Sequence, residues 1–223
     1  MKLFAKALAT ASIAATGMMA VPAAAQVNGI ATASPEAVIV RAQARQAAYT
    51  QISQTYATQI QQVNTLRQEI AQQQQSLDTN NDGQLTEAEV NANPAVVQQI
   101  QQKEQQASTL TQPIAMAQTY ALQQLIDNYN AARDQVIQQK SIQLLLNPDA
   151  IQYGPDSINV TGDIVAALNQ RMPSVQTTPP ANWQPRRDTL QLHQTVQQVL
   201  LAAAQQQAAS QQAQQQSQQP TGR

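Results

Sequence analysis

From Pro35 the chain runs to Gly83 without another proline or glycine, and inside that run Tyr49, Tyr56, Val63, Ile70 and Leu77 recur every seven residues. Ile52 and Leu66 follow two of them at a spacing of three. A seven-residue apolar repeat draws one stripe along a helix and demands a partner to cover it. Gln59 and Gln73 interrupt the stripe, which favours a loose or partner-dependent coiled coil over a dry zipper. Ser34-Pro35-Glu36 marks the start: the hydroxyl can cap free N–H groups, proline suits the first helical position and the carboxylate suits the positive end of the dipole. From Pro35 to Leu77 such a helix reaches about 65 Å, at 1.5 Å per residue.

The segment that would cover this stripe restarts at Asn93-Pro94 and runs to Lys140. Ile100, Ala107, Ile114 and Ala121 keep the seven-residue spacing, with Val96, Leu110 and Ala117 beside them. Leu122, Tyr129 and Val136 then carry the stripe one position later, a register shift. Pro113 removes a backbone hydrogen bond inside this helix and predicts a kink. Residues 35–140 are therefore expected to form an antiparallel helical hairpin.

Composition narrows the function. Of 223 residues 46 are Gln, 11% are charged, 3% are aromatic, and the formal net charge is -1. One large globular core is hard to fill from such a chain. The absence of Cys removes thiolate and Cys-ligated metal chemistry, and one His, His193, supplies neither a triad nor a His-rich site. His193 has no acidic neighbour and is expected to be solvent-exposed. Lys and Arg are not clustered beyond Arg186-Arg187, so nucleic acid is not an expected partner. Nor is there a phosphate-binding Gly-rich loop ending in Lys, so no nucleotide is expected. The reading is of a non-enzyme.

Residues 1–25 carry Lys2 and Lys6, an apolar run of about 15 residues and Ala23-Ala24-Ala25, the three parts of a cleavable signal peptide. No later segment is apolar enough to span a bilayer. Export to the periplasm of a chain beginning at Gln26 is the expectation. Beyond the hairpin, Ile142–Leu146 and Ala150–Tyr153 read as two short strands, and Thr161 as the cap of a helix from Gly162 to Gln170. With residues 26–34 they make a β/α base over 141–172. A Pro-rich linker (173–186) follows, on which Trp183 is expected to pack against the base. Next come a helix over 187–204 and a Gln-rich tail, 205–223, expected to be disordered.

Between the hairpin helices, Asp78-Thr79-Asn80-Asn81-Asp82-Gly83-Gln84-Leu85-Thr86-Glu87-Ala88-Glu89 matches an EF-hand calcium loop at every position. Asp78, Asn80 and Asp82 offer side-chain oxygens, Gln84 its carbonyl, Thr86 a direct or water-mediated contact, and Glu89 two oxygens. Gly83 permits the sharp turn. A calcium ion that clamps the hairpin tip is the expected role. Asn-, Asp- and Gly-rich turns also arise for backbone reasons alone.

Taken together, the layout resembles the Skp/OmpH family of periplasmic chaperones. The stretches most similar to the family are Ser141-Ile-Gln-Leu-Leu-Leu-Asn-Pro-Asp-Ala-Ile-Gln-Tyr-Gly154 and Ile158-Asn-Val-Thr-Gly-Asp-Ile-Val-Ala-Ala-Leu-Asn169, within a likeness covering about 27–185. The resemblance implies a mainly α fold with a small β base: a long hairpin arm on a short-stranded trimerisation base. It further implies a homotrimer whose arms enclose a cavity for unfolded outer-membrane proteins, held without ATP. Strands too few for a sheet and a stripe left wet by one partner give association an independent reason. The nearly uncharged arms and the calcium loop depart from the family pattern. Two other functions fit the same residues: an exported EF-hand calcium-binding protein, or a structural coiled-coil envelope protein with an adhesive Gln-rich tail.

Overall fold

The structure, a computed structural model, describes residues 29–217. The expected signal peptide (1–25) and residues 218–223 lie outside them. The chain forms β1 (Ile30–Thr32), α1 (Pro35–Arg41), α2 (Gln43–Thr55), α3 (Ala57–Leu77), α4 (Glu87–Ala92), α5 (Pro94–Gln139), β2 (Leu144–Leu146), α6 (Thr161–Arg171) and α7 (Arg187–Ser217). α3 and α5 lie side by side as the hairpin arm, with Gln73 Nε2 donating to Gln99 Oε1 at 2.8 Å and Lys103 paired with Glu69. It is the mainly helical fold with a small β base read from the sequence.

The first arm strand is not one helix. Ala42 leaves helical geometry at ψ 129° and separates α1 from α2, and Tyr56 separates α2 from α3. Alanine is the best helix former, so the break has a tertiary cause: the Gln43 N–H donates to Asn169 Oδ1 on α6 at 2.9 Å, and Arg45 Nε donates to Val40 O at 2.7 Å. α1 thus belongs to the base, not to the arm. Ser34 caps it as expected, accepting from the Ala37 N–H at 3.1 Å. α5 is one helix of 46 residues with Pro113 inside it and Pro94 at its start; Asn93 provides no side-chain cap. Within α5, Leu122, Leu125, Ala132 and Val136 are buried, a 3-7-4 advance that holds one face inward.

α5 ends in a Schellman turn. Ser141 takes φ 52°, the Ile142 N–H reaches Ile137 O at 3.0 Å and the Ser141 N–H reaches Gln138 O at 3.3 Å. This reversal delivers β2 parallel to β1, in register Ile30↔Leu144, Ala31↔Leu145 and Thr32↔Leu146. Parallel strands need a long crossover, and the whole arm is that crossover. Gly29 (φ 72°) accepts from the N–H groups of Gln143 and Leu144, at 2.7 and 2.8 Å.

The second expected strand, over 150–153, does not form. Pro148–Ala150 and Asp156–Ile158 are 3-10 turns, and among the described residues the sheet is extended only by the bridge Thr32↔Asn159. Asn147 Oδ1 accepts from the Asp149 N–H at 3.2 Å and starts the first turn, so the chain coils at Pro148–Ala150 where an extended run was expected. Thr161 opens α6 rather than capping it; its Oγ1 accepts from the Ser34 N–H at 3.2 Å, while Asn159 Oδ1 accepts from the Thr161 N–H at 3.0 Å.

The hydrophobic core sits in the base and the adjoining part of the arm: Ala31, Val38, Ile39, Leu122, Leu125, Val136, Ile164, Leu168 and Val196 among others, with no residue of α3 in it. Each fully buried Leu or Ile there contributes ~1.5–3 kcal/mol. Val196 brings α7 into this core, so the C-terminal helix is part of the base unit. α7 also runs on past Ala204 to Ser217, which makes 205–217 helical where disorder was expected.

Candidate functional site

The arm is where the chain departs most from a packed globule. Val63 and Leu77 of α3 and Ile100 of α5 are buried on the seam, while Leu66, Ile70, Val96, Ala107, Leu110 and Ile114 are only partly covered. Midway along the arm a groove of about 920 Å³ opens between α3 and α5. Its walls are Thr58, Gln61, Gln62 and Thr65 on one side and Gln102, Gln105, Gln106 and Thr109 on the other, with Leu66 and Leu110 as its apolar lining. All ten lining residues are uncharged. The side chains offer donors and acceptors in equal measure, which suits many weak contacts with a polypeptide.

Near the base, Arg45 stacks 5.0 Å above the Tyr49 ring. Burial pushes the Tyr49 phenol up to about 12, opposed by the Arg45 charge, and burial also lowers the Arg45 guanidinium. The Pro-rich segment 173–186 is no free linker. Gln176 exchanges two bonds with the Gln124 amide, N–H to Oε1 and Nε2 to O, each 2.9 Å. Trp183 meets Tyr120 of α5 edge-on, ring centroids 5.0 Å apart at 69°, in place of the expected packing against the base. Arg186 pairs with Asp127 at 2.7 Å. His193, read as solvent-exposed, is half-buried, and burial lowers its pKa.

At the tip the six expected calcium ligands form two groups. Asp78, Asn80 and Asp82 curl onto the loop backbone: Asp78 Oδ2 accepts from the Gly83 N–H (2.8 Å), Asn80 Oδ1 from Asp82 (2.9 Å) and Asp82 Oδ1 from Gln84 (2.8 Å). Asn81 at φ 58° and Gly83 at φ 78° make the turn possible. Glu89, 8% exposed, joins the loop ends instead. Its Oε2 takes the Thr86 N–H (3.0 Å) and hydroxyl (2.7 Å), closing a capping box at the start of α4, and its Oε1 takes the Thr79 N–H and hydroxyl, both 2.9 Å. These bonds, the Thr86 N–H foremost, hold the carboxyl down at about 2. Among the described residues no three His, Cys, Asp or Glu side chains gather closely enough to share a metal ion. The donor set fits calcium chemistry, hard oxygens throughout; in this arrangement Glu89 is engaged by Thr79 and Thr86.

The fold and these surfaces define a class: a projecting helical hairpin on a small α/β base. Residues 29–168 match the family model described as outer membrane protein (OmpH-like), well over half of the chain, and the chain belongs to that family. Membership supports a periplasmic chaperone role without enzyme chemistry. No curated protein matches in sequence. Among solved structures, a crystal structure from Caulobacter crescentus CB15, described as a candidate outer membrane chaperone (OmpH-like), is similar at 17% identity and TM-score 0.42, covering 69% of this chain and 92% of that one. The segment from Asn169 onward, with the Pro-rich strap over 173–186 and α7, lies beyond the family match. Among the described residues no helix is long and apolar enough to cross a membrane.

Proposed function

We propose that the protein is an ATP-independent periplasmic holdase that keeps unfolded outer-membrane β-barrel proteins from aggregating, acting as a homotrimer whose arms enclose a cavity. Family membership supports the chaperone class. One observation carries the finer reading: the core is confined to the base and lower arm, while the outer arm projects with a half-covered apolar seam beside a groove lined by uncharged amide and hydroxyl side chains. Such an arm contributes little to holding its own chain together and presents many weak contacts to another. The test is to measure the solution mass of the exported chain and its ability to keep a denatured β-barrel protein soluble without nucleotide. Trimers that suppress aggregation support the reading, and a strict monomer with no effect overturns it.

We also infer calcium binding at the tip, through Asp78, Asn80, Asp82, Gln84, Thr86 and Glu89. The support is the complete loop pattern, its hard-oxygen donors and the left-handed turn at Gly83. An affinity of about 0.1–1 mM is expected for an extracellular-type module. Titration calorimetry with calcium chloride tests it: heat that disappears in Glu89→Gln supports the site, and no heat from the unmodified chain removes it.

A further inference from the structure

Residues 173–186 cross α5 as an extended chain. Val175, Thr177 and Pro179 are partly covered and the residues between them exposed. Trp183 and Pro185 repeat the alternation after a turn in which the Trp183 N–H donates to Pro180 O at 3.0 Å. A period of two is how an extended polypeptide lies on a surface. Among the described residues that turn is the one backbone-to-backbone hydrogen bond made by 173–185. Side chains of α5 hold the strap instead.

Tyr120, Gln123, Gln124 and Asp127 follow one another at steps of three, one and three, and so share one face of α5. The Gln124 amide, at once donor and acceptor, meets both main-chain groups of a single residue. Its Oε1 accepts from the Gln176 N–H and its Nε2 donates to Gln176 O, each at 2.9 Å. Nε2 also donates to Tyr120 O at 3.1 Å, which fixes the amide on its own helix. Gln123 Oε1 accepts from the Arg186 N–H at 3.4 Å. These contacts read main chain, which every polypeptide carries. The Trp183 ring against Tyr120 and the Arg186–Asp127 pair add side-chain contacts.

The strap is a poor ligand for this face. Trp183 Nε1 is buried and finds no hydrogen-bond partner among the described residues, and an unmet donor opposes docking. Arg186 and Asp127 are 45% and 47% exposed, and an ion pair so open to water contributes little. What keeps the strap seated is its tether. Leu168 before it and Val196 after it are fully buried, so its local concentration is high. We propose that this face of α5 is a binding site for extended polypeptide, that the strap occupies it as a tethered stand-in, and that an unfolded client takes it over through main-chain contacts with Gln123 and Gln124. The client follows from the holdase reading; the site follows from the strap's own contacts. Both ends stay anchored while 175–186 lifts, so release needs no unfolding of the base.

Trp183 is the one tryptophan in the chain, so its emission follows the strap. The probe is an unfolded β-barrel protein with every tryptophan replaced by phenylalanine, added to the full chain. Trp183 emission is expected to move to the red as the ring leaves Tyr120 for water. Unchanged emission while the client is held in solution would overturn the exchange and leave the holdase reading intact. A client that is not held at all sinks the holdase reading, and a second measurement reads the site without it. A fluorescein-labelled peptide of residues 173–186 is titrated onto the unmodified chain and onto Trp183→Ala with Arg186→Ala, where the strap is loosened. Binding should be about tenfold tighter to the variant, the ratio expected when the strap is seated in nine molecules of ten. It should be lost when Tyr120→Ala and Gln124→Ala are added. Equal binding to the two chains, or binding that survives loss of Tyr120 and Gln124, would overturn the proposal.

Discussion

Ile30 and Leu144 are register partners across the parallel strand pair, and their side chains are 46% and 48% exposed. Two large apolar residues side by side on a two-stranded sheet are a surface that a second copy would cover. Replacing either by Asp (Ile30→Asp or Leu144→Asp) should cost about 3 kcal/mol per subunit contact, from a charge placed where burial is needed. For the proposed homotrimer the expected outcome is a monomer in analytical ultracentrifugation with unchanged far-UV dichroism. A variant that still sediments as a trimer would place the contact elsewhere.

Leu122→Ala should destabilise the chain by ~2–5 kcal/mol in urea unfolding, because its side chain is fully buried between α5 and the base. Leu110→Ala, half-covered in the groove, should cost below ~1 kcal/mol. Similar losses for the two would mean that the outer arm carries a core comparable to that of the base.

Ser141 holds the left-handed position that ends α5, where a side chain is unfavourable. Ser141→Gly should raise stability by about 1 kcal/mol, seen as a higher thermal midpoint. No change, or a loss, would show that the serine is held there by more than the turn.

Glu89 titrates at about 2 in the folded chain against an ordinary 4.5, because Thr86 and Thr79 donate to its ionised form. A depressed carboxyl stabilises the fold above its unfolded value and loses that contribution as pH falls through the folded one. Hydrogen-exchange protection of the Thr79 and Thr86 amides should therefore decline between pH 4.5 and about 2. Glu89→Gln should weaken that protection at neutral pH and abolish its decline. Persistence of the acid transition in that variant would assign it to another carboxylate.

The stripe residues Val63, Leu77, Ile100, Ala117, Ala121, Leu122 and Val136 were legible because a seven-residue period survives in local sequence, and they are buried in the structure. The break at Ala42 was not legible. It depends on Asn169, 127 residues away, and local propensity at an alanine argues for continuation. The strap was hidden for another reason: Gln123, Gln124 and Gln176 are three among 46 glutamines, and pattern alone does not mark which of them grip a neighbour. At the tip the oxygen-rich loop was plain from its spacing, whereas the engagement of Glu89 by Thr79 and Thr86 emerges only once the loop is folded.

Light scattering during dilution of a urea-unfolded outer-membrane β-barrel protein into nucleotide-free buffer tests the holdase function most directly. With a few copies of the chain from Gln26 onward present per client, scattering should stay near the buffer baseline. A scattering trace identical to that of the client alone would contradict it.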